Sequence, residues 1–131
     1  MINLTPHEIV IVEADGAEIA SFPASGVIAR VSVTEKVTGI QYFDGIPVDI
    51  VSSTFGEVTG LPEDKDARFL VSGMVLDRLG PEYQNIAFAP DTGASAVRNE
   101  KGHIIGVTRL RTVSKDTTKR AKSIMVLFSN V

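Results

Sequence analysis

Asp-Gly occurs at Asp15-Gly16 and again at Asp44-Gly45, each time between runs of alternating apolar residues. No other feature constrains the fold as tightly. The dipeptide supplies the positive φ angles of a two-residue hairpin turn at little steric cost, so the chain on either side returns antiparallel. In the first unit His7–Glu13 and Glu18–Phe22 flank Ala14-Asp15-Gly16-Ala17, and in the second Gly39–Phe43 and Ile46–Ser52 flank Asp44-Gly45. A third hairpin is read over Ala94–Arg98 and His103–Leu110 around Asn99-Glu100-Lys101-Gly102. Val27–Thr34 alternates with period two, as a strand with one wet face does, and Arg68–Ser72 and Ile124–Phe128 complete about eight strands.

Helix is scarce. Ser72 to Pro81 reads as about two turns, with Ser72 as N-cap and Gly80-Pro81 as the stop. Lys115–Lys122 is a second short helix or a loop. These elements predict a compact, mainly β fold: an antiparallel sandwich or small barrel with one or two short helices. At 131 residues the chain is one domain, divided into a β core over 1–110, a basic loop or short helix over 111–122, and a C-terminal strand over 123–131. In strand His7–Glu13 both Ile9 and Ile11 and the alternate Val10 and Val12 are apolar. Such a strand is central in its sheet or covered by a partner chain, and a homo-oligomer is expected.

Zero cysteines exclude disulfides, thiol nucleophiles and thiolate-bound metals. No apolar run approaches the roughly 18 residues of a membrane span, and the first residues lack a signal-peptide pattern, so a cytoplasmic location is expected. Charge is uneven: residues 1–107 hold 15 acidic and 7 basic side chains, whereas residues 108–131 hold 6 basic and one acidic. The basic end either meets phosphates or is a solvated segment that offsets an acidic body or docks on a neighbouring subunit.

Asp91-Thr92-Gly93-Ala94-Ser95 has the local form of the loop that carries the catalytic carboxylate of retroviral-type aspartic peptidases. That chemistry needs two carboxylates about 3 Å apart sharing a proton, hence a homodimer using Asp91 from each chain. The surroundings differ. Pro90 interrupts the approach to the Asp, and Ile104-Ile105-Gly106 follows too soon to be that family's later apolar segment. An Asp-Thr-Gly turn closed by side-chain-to-backbone bonding accounts for the same residues. The two histidines, His7 and His103, show no metal-ligand spacing, and no nucleophile elbow, phosphate loop or dinucleotide fingerprint is present. No cofactor or metal is expected.

A binding surface remains. Arg30, Arg98 and Arg109 each stand among apolar or small neighbours, with Arg111 two residues beyond Arg109. Guanidinium forks match phosphate oxygens, and equally the carboxylates of Glu57, Asp91 or Glu100. The Ser72-Gly73 segment offers backbone N–H groups, and Tyr42, Phe43, Phe55 and Phe69 are aromatics that stack a base or fill the core. The candidate ligand-binding residues are Asn3, Thr5, His7, Arg30, Ser72, Asp91, Thr92, Arg98 and Arg109.

Read together, Asn3–His7 (Asn-Leu-Thr-Pro-His), Ser25–Val31, Phe55–Pro62 (Phe-Gly-Glu-Val-Thr-Gly-Leu-Pro), Val71-Ser72-Gly73 and Ala96–Leu110 resemble the recurring words of a family of small proteins encoded by bacteriophages and prophages. The resemblance runs from residue 3 to about 110. In that family the segment at 90–95 commonly reads Pro-Asp-Thr-Gly-Pro, which makes Ala94-Ser95 drift and not a peptidase signature. In size and composition, though in no motif, the chain is also similar to phage anti-defence proteins that sequester nucleotide immune signals as oligomers. The implied function is non-enzymatic capture of a small anionic, nucleotide-type signalling ligand in the host cytoplasm. In that arrangement arginines meet phosphates, and Asp91, Thr92 or Asn3 meet ribose or base edges. Nucleic acid and membrane are not expected partners. A structural or protein-interaction accessory of the phage and the Asp91 peptidase are the alternatives.

Overall fold

The structure, a computed structural model, describes residues 1–114. The Lys115–Lys122 helix or loop and the Ile124–Phe128 strand expected from the sequence lie outside these residues. Strand accounts for 47% of the described chain and helix for 6%, so the fold is mainly β with short helices.

Among the described residues ten strands run in chain order: β1 (Ile2–Asn3), β2 (Ile9–Val12), β3 (Glu18–Phe22), β4 (Arg30–Phe43), β5 (Ile46–Thr59), β6 (Phe69–Leu70), β7 (Ala87–Pro90), β8 (Val97–Arg98), β9 (Ile104–Gly106) and β10 (Leu110–Thr112). One α-helix, α1 (Gly73–Leu76), and a 3-10 turn at Pro81–Tyr83 lie between β6 and β7. The three expected hairpins are present as β2–β3, β4–β5 and β8–β9, all antiparallel. Ser72 caps α1, its hydroxyl accepting from the Val75 N–H at 3.3 Å.

The central sheet, in order β1-β6-β7-β10, is mixed. Its β1–β6 and β6–β7 pairings are parallel, and only β7–β10 is antiparallel. Successive side chains on these strands enter opposite layers. Phe69, Val71, Ala87 and Ala89 join Leu4, Val75, Leu76, Leu79 and Val113 on one face, while Leu70 and Phe88 meet Ile9, Val107 and Phe22 on the other. A sheet buried on both faces reads in sequence as an unbroken apolar run. That is the character of Phe69-Leu70-Val71 and Ala87-Phe88-Ala89.

β2 sits between β3 on one edge and Val107 on the other, through Val12 N–H to Val107 O and Val107 N–H to Val10 O, each 2.9 Å. Its double apolar character therefore reflects a central position. The division at residue 110 moves outward, because Arg111 and Thr112 belong to β10 and Val113 is in the core.

The second hairpin departs most from expectation. Gly39–Phe43 and the Arg30–Thr34 part of Val27–Thr34, read as separate strands, belong to one 14-residue strand, β4, paired along its length with the equally long β5, while Val27–Ala29 lie outside any strand. Asp44 and Gly45 turn the tip with φ of 51° and 81°, the pair of positive angles a type I′ turn needs. Val31 and Val58 pack on the body at the base of this arm, and beyond them nearly every residue is exposed.

Candidate functional site

The three parallel strands β1, β6 and β7 release their chains at the same end of the central sheet. Thr5–Val10 leave after β1, Ser72 and Gly73 after β6, and Pro90 and Thr92 at the end of β7. Together with Ile104–Val107 and Arg111 they enclose a cleft of about 570 Å³. Cleavage between diverging loops at the carboxyl ends of parallel strands is where open sheets commonly take ligands, and the volume lies in the range of small-molecule sites.

Ile9, Val10, Ile104, Ile105 and Val107 make the lining largely apolar. Its polar groups come from Thr5, His7, Glu8, Ser72, Thr92 and Arg111. The Glu8 carboxylate accepts from the Ser21 hydroxyl. Among the described residues Arg111 pairs at 3.9 Å with Asp77, both side chains about half exposed, so its guanidinium is accessible to an anion. Gly73 leaves it room: a Cβ there would come within 2.9 Å of Arg111 Nη2.

Four residues read as ligand contacts in the sequence, Thr5, His7, Ser72 and Thr92, are thus gathered on one cleft. Asn3 is not among its lining. At 2% exposed, Asn3 donates from Nδ2 to the carbonyls of His7 and Phe22, both at 2.8 Å, and its Oδ1 accepts from the Thr5 N–H at 2.9 Å. The Thr5 hydroxyl donates to the same oxygen at 2.7 Å. The word Asn-Leu-Thr-Pro-His is therefore a knot that ties the first strand to the turn after it and to the end of β3.

The three arginines singled out by their apolar surroundings do not converge, and none lines the cleft. Arg30 opens the arm and is exposed. Arg98 donates from Nη1 to Gly102 O at 2.8 Å and from Nη2 to Thr92 O at 3.3 Å, closing the β8–β9 turn. Arg109 donates from Nε at 3.0 Å and Nη2 at 2.6 Å to Asp91 Oδ2. Among the described residues the Lys or Arg side chain that does reach the cleft is Arg111. Period two along β10 could have suggested it as readily as Arg109.

Asp91 is engaged on both oxygens, Oδ1 accepting from the Gly93 N–H at 3.2 Å. The Arg109 hydrogen bonds, and then the Gly93 N–H, hold its carboxyl below the usual carboxylate range. A peptidase dyad needs a carboxyl that shares a proton with its mate; an Asp held ionised by a guanidinium is the opposite arrangement. Among the described residues no cluster of three or more His, Asp or Glu side chains is disposed to hold a metal. No helix of the described residues is long and apolar enough to cross a membrane. No family model, curated protein or solved structure matches the chain.

Proposed function

We propose that this protein binds a small anionic ligand of nucleotide type in the cleft at the carboxyl ends of β1, β6 and β7, and holds it without chemical change. The observation that carries the reading is the composition of that cleft. An apolar lining of Ile9, Ile104 and Ile105 suits the flat face of a base, and the open guanidinium of Arg111 suits a phosphate. Ser72, Thr92 and His7 add hydrogen-bonding groups around it. The setting is the one implied by the resemblance to phage-encoded proteins: sequestration of a host signalling nucleotide.

Thermal melting with a panel of cyclic and ADP-ribose-type nucleotides tests this. A ligand at a hundredfold its Kd stabilises by about 2.7 kcal/mol, a shift of several degrees. Arg111→Ala should leave the melting temperature of the free protein nearly unchanged, because its ion pair with Asp77 is long and exposed, and should abolish the shift. If no nucleotide in the panel moves the parent protein, the reading fails.

A further inference from the structure

We propose that Asp44-Gly45, at the tip of the β4–β5 arm, is a site of spontaneous isoaspartate formation, and that the same dipeptide at Asp15-Gly16 is protected by its fold. The reaction is between neighbours in the chain and consumes no other reagent. The backbone nitrogen of Gly45 bonds to Cγ of Asp44, and its proton leaves with the carboxyl OH as water. Water then opens the resulting cyclic imide. Cleavage of the new N–Cγ bond restores Asp44. Cleavage between that nitrogen and the main-chain carbonyl carbon of Asp44 leaves the chain running through the side chain instead.

In both dipeptides a glycine follows the aspartate, so no side chain shields the attacking nitrogen, and sequence alone does not separate the two sites. The fold does. Ring closure needs a carboxyl free to turn on its own backbone and a following N–H that is not donated elsewhere. At Asp15-Gly16 neither condition is met. Asp15 Oδ1 accepts from the Ala17 N–H at 2.9 Å, and Gly16 donates its N–H to Glu13 O at 2.8 Å. A further bond, from Glu13 N–H to Ala17 O at 2.8 Å, closes the turn around them. Gly16 is also covered, since a Cβ there would meet Ile105 Cδ1 at 3.8 Å and Val97 Cγ1 at 3.9 Å.

Asp44-Gly45 has the opposite surroundings. The pair forms the two-residue turn between Phe43 and Ile46, and the hydrogen bond that closes such a turn uses the N–H of the residue after it, not that of the glycine. Among the described residues neither the Asp44 carboxylate nor the Gly45 N–H has a hydrogen-bond partner. Both residues are exposed, and nothing lies within 4 Å of where a Gly45 Cβ would stand. The product carries one more methylene in its main chain. A two-residue turn is lengthened by it, so the Phe43–Ile46 pair and then Tyr42–Pro47 lose the register that the positive φ angles of the turn impose.

Peptide mapping of the full chain, held in mildly acidic buffer so that the carboxyl is partly neutral and its OH can leave as water, follows both sites at once. Electron-transfer fragmentation distinguishes isoaspartate from aspartate at equal mass. In the folded chain isoaspartate should build up at Asp44 about tenfold or more faster than at Asp15, because the ring at Asp15 closes only after two hydrogen bonds are broken. In denaturant those bonds are gone, and the two sites should react at similar rates. A folded chain in which Asp44 stays unmodified, or reacts no faster than Asp15, would overturn the proposal. So would a preference for Asp44 that persists undiminished in denaturant, since the contrast would then come from flanking residues and not from the fold.

Discussion

Asn3 shows what a short polar residue near the chain start can do when buried. Its amide and carbonyl satisfy two backbone carbonyls, one backbone N–H and a hydroxyl, and an unpaired buried polar group costs roughly 1–3 kcal/mol. Asn3→Ala is therefore expected to lower stability by at least about 2 kcal/mol, read as a lower denaturation midpoint with unchanged slope. A loss within a few tenths would show that the turn holds without it. Asp91 and Arg109 illustrate the contrary case, since Arg109 is 67% exposed and the pair is screened. The sign of its pH effect is still fixed. A carboxyl whose folded pKa is depressed adds stability above its unfolded pKa, near 3.9, and loses it as pH falls through the folded value. Stability should decline below about pH 4 less steeply in Asp91→Asn than in the parent; identical acid limbs would place the effect on other carboxylates.

At the scale of elements, close approach sets the geometry of the cleft. A Cβ on Gly106 would lie 2.5 Å from Val12 Cγ1 and 3.1 Å from Val10 O, so β9 can lie on β2 only while that position is glycine. Gly106→Ala is expected to cost about 1–3 kcal/mol by forcing the two strands apart. Because Gly106 also lines the cleft, nucleotide binding should weaken with it; full stability in chemical denaturation would show that the strands re-pack. The hairpins were legible because Asp-Gly turns and period-two alternation are local. β1 and β7 were not. Ala87-Phe88-Ala89-Pro90 has small residues and weak β propensity, and it is a strand because Ala87 and Ala89 fit, fully buried, beneath α1 and beside β6.

For the whole molecule, the consequence is a division of stability. The body is a sheet buried on both faces, while the arm, beyond the base where Val31 and Val58 meet the core and Arg78 stacks on Phe55, is exposed along nearly its whole length. Native-state hydrogen exchange should find the amides of β6 and β7 opening only with global unfolding, and those between Val33 and Phe55 opening more easily in dilute solution. Equal protection throughout would contradict the division.

Turn chemistry and side-chain alternation act between neighbours in the chain, and from them came the mainly β class, the three hairpins and the Ser72 cap. Which segments lie side by side is set by burial between residues distant in sequence, a quantity no local pattern carries. The tertiary structure therefore decided the parallel pairing of β1, β6 and β7 and the cleft at their ends. It separated Arg111, which reaches that cleft, from Arg109, which Asp91 holds. It also decided that two apparently separate strands are one long arm, because the continuity of β4 depends on its partner β5 and not on its own sequence.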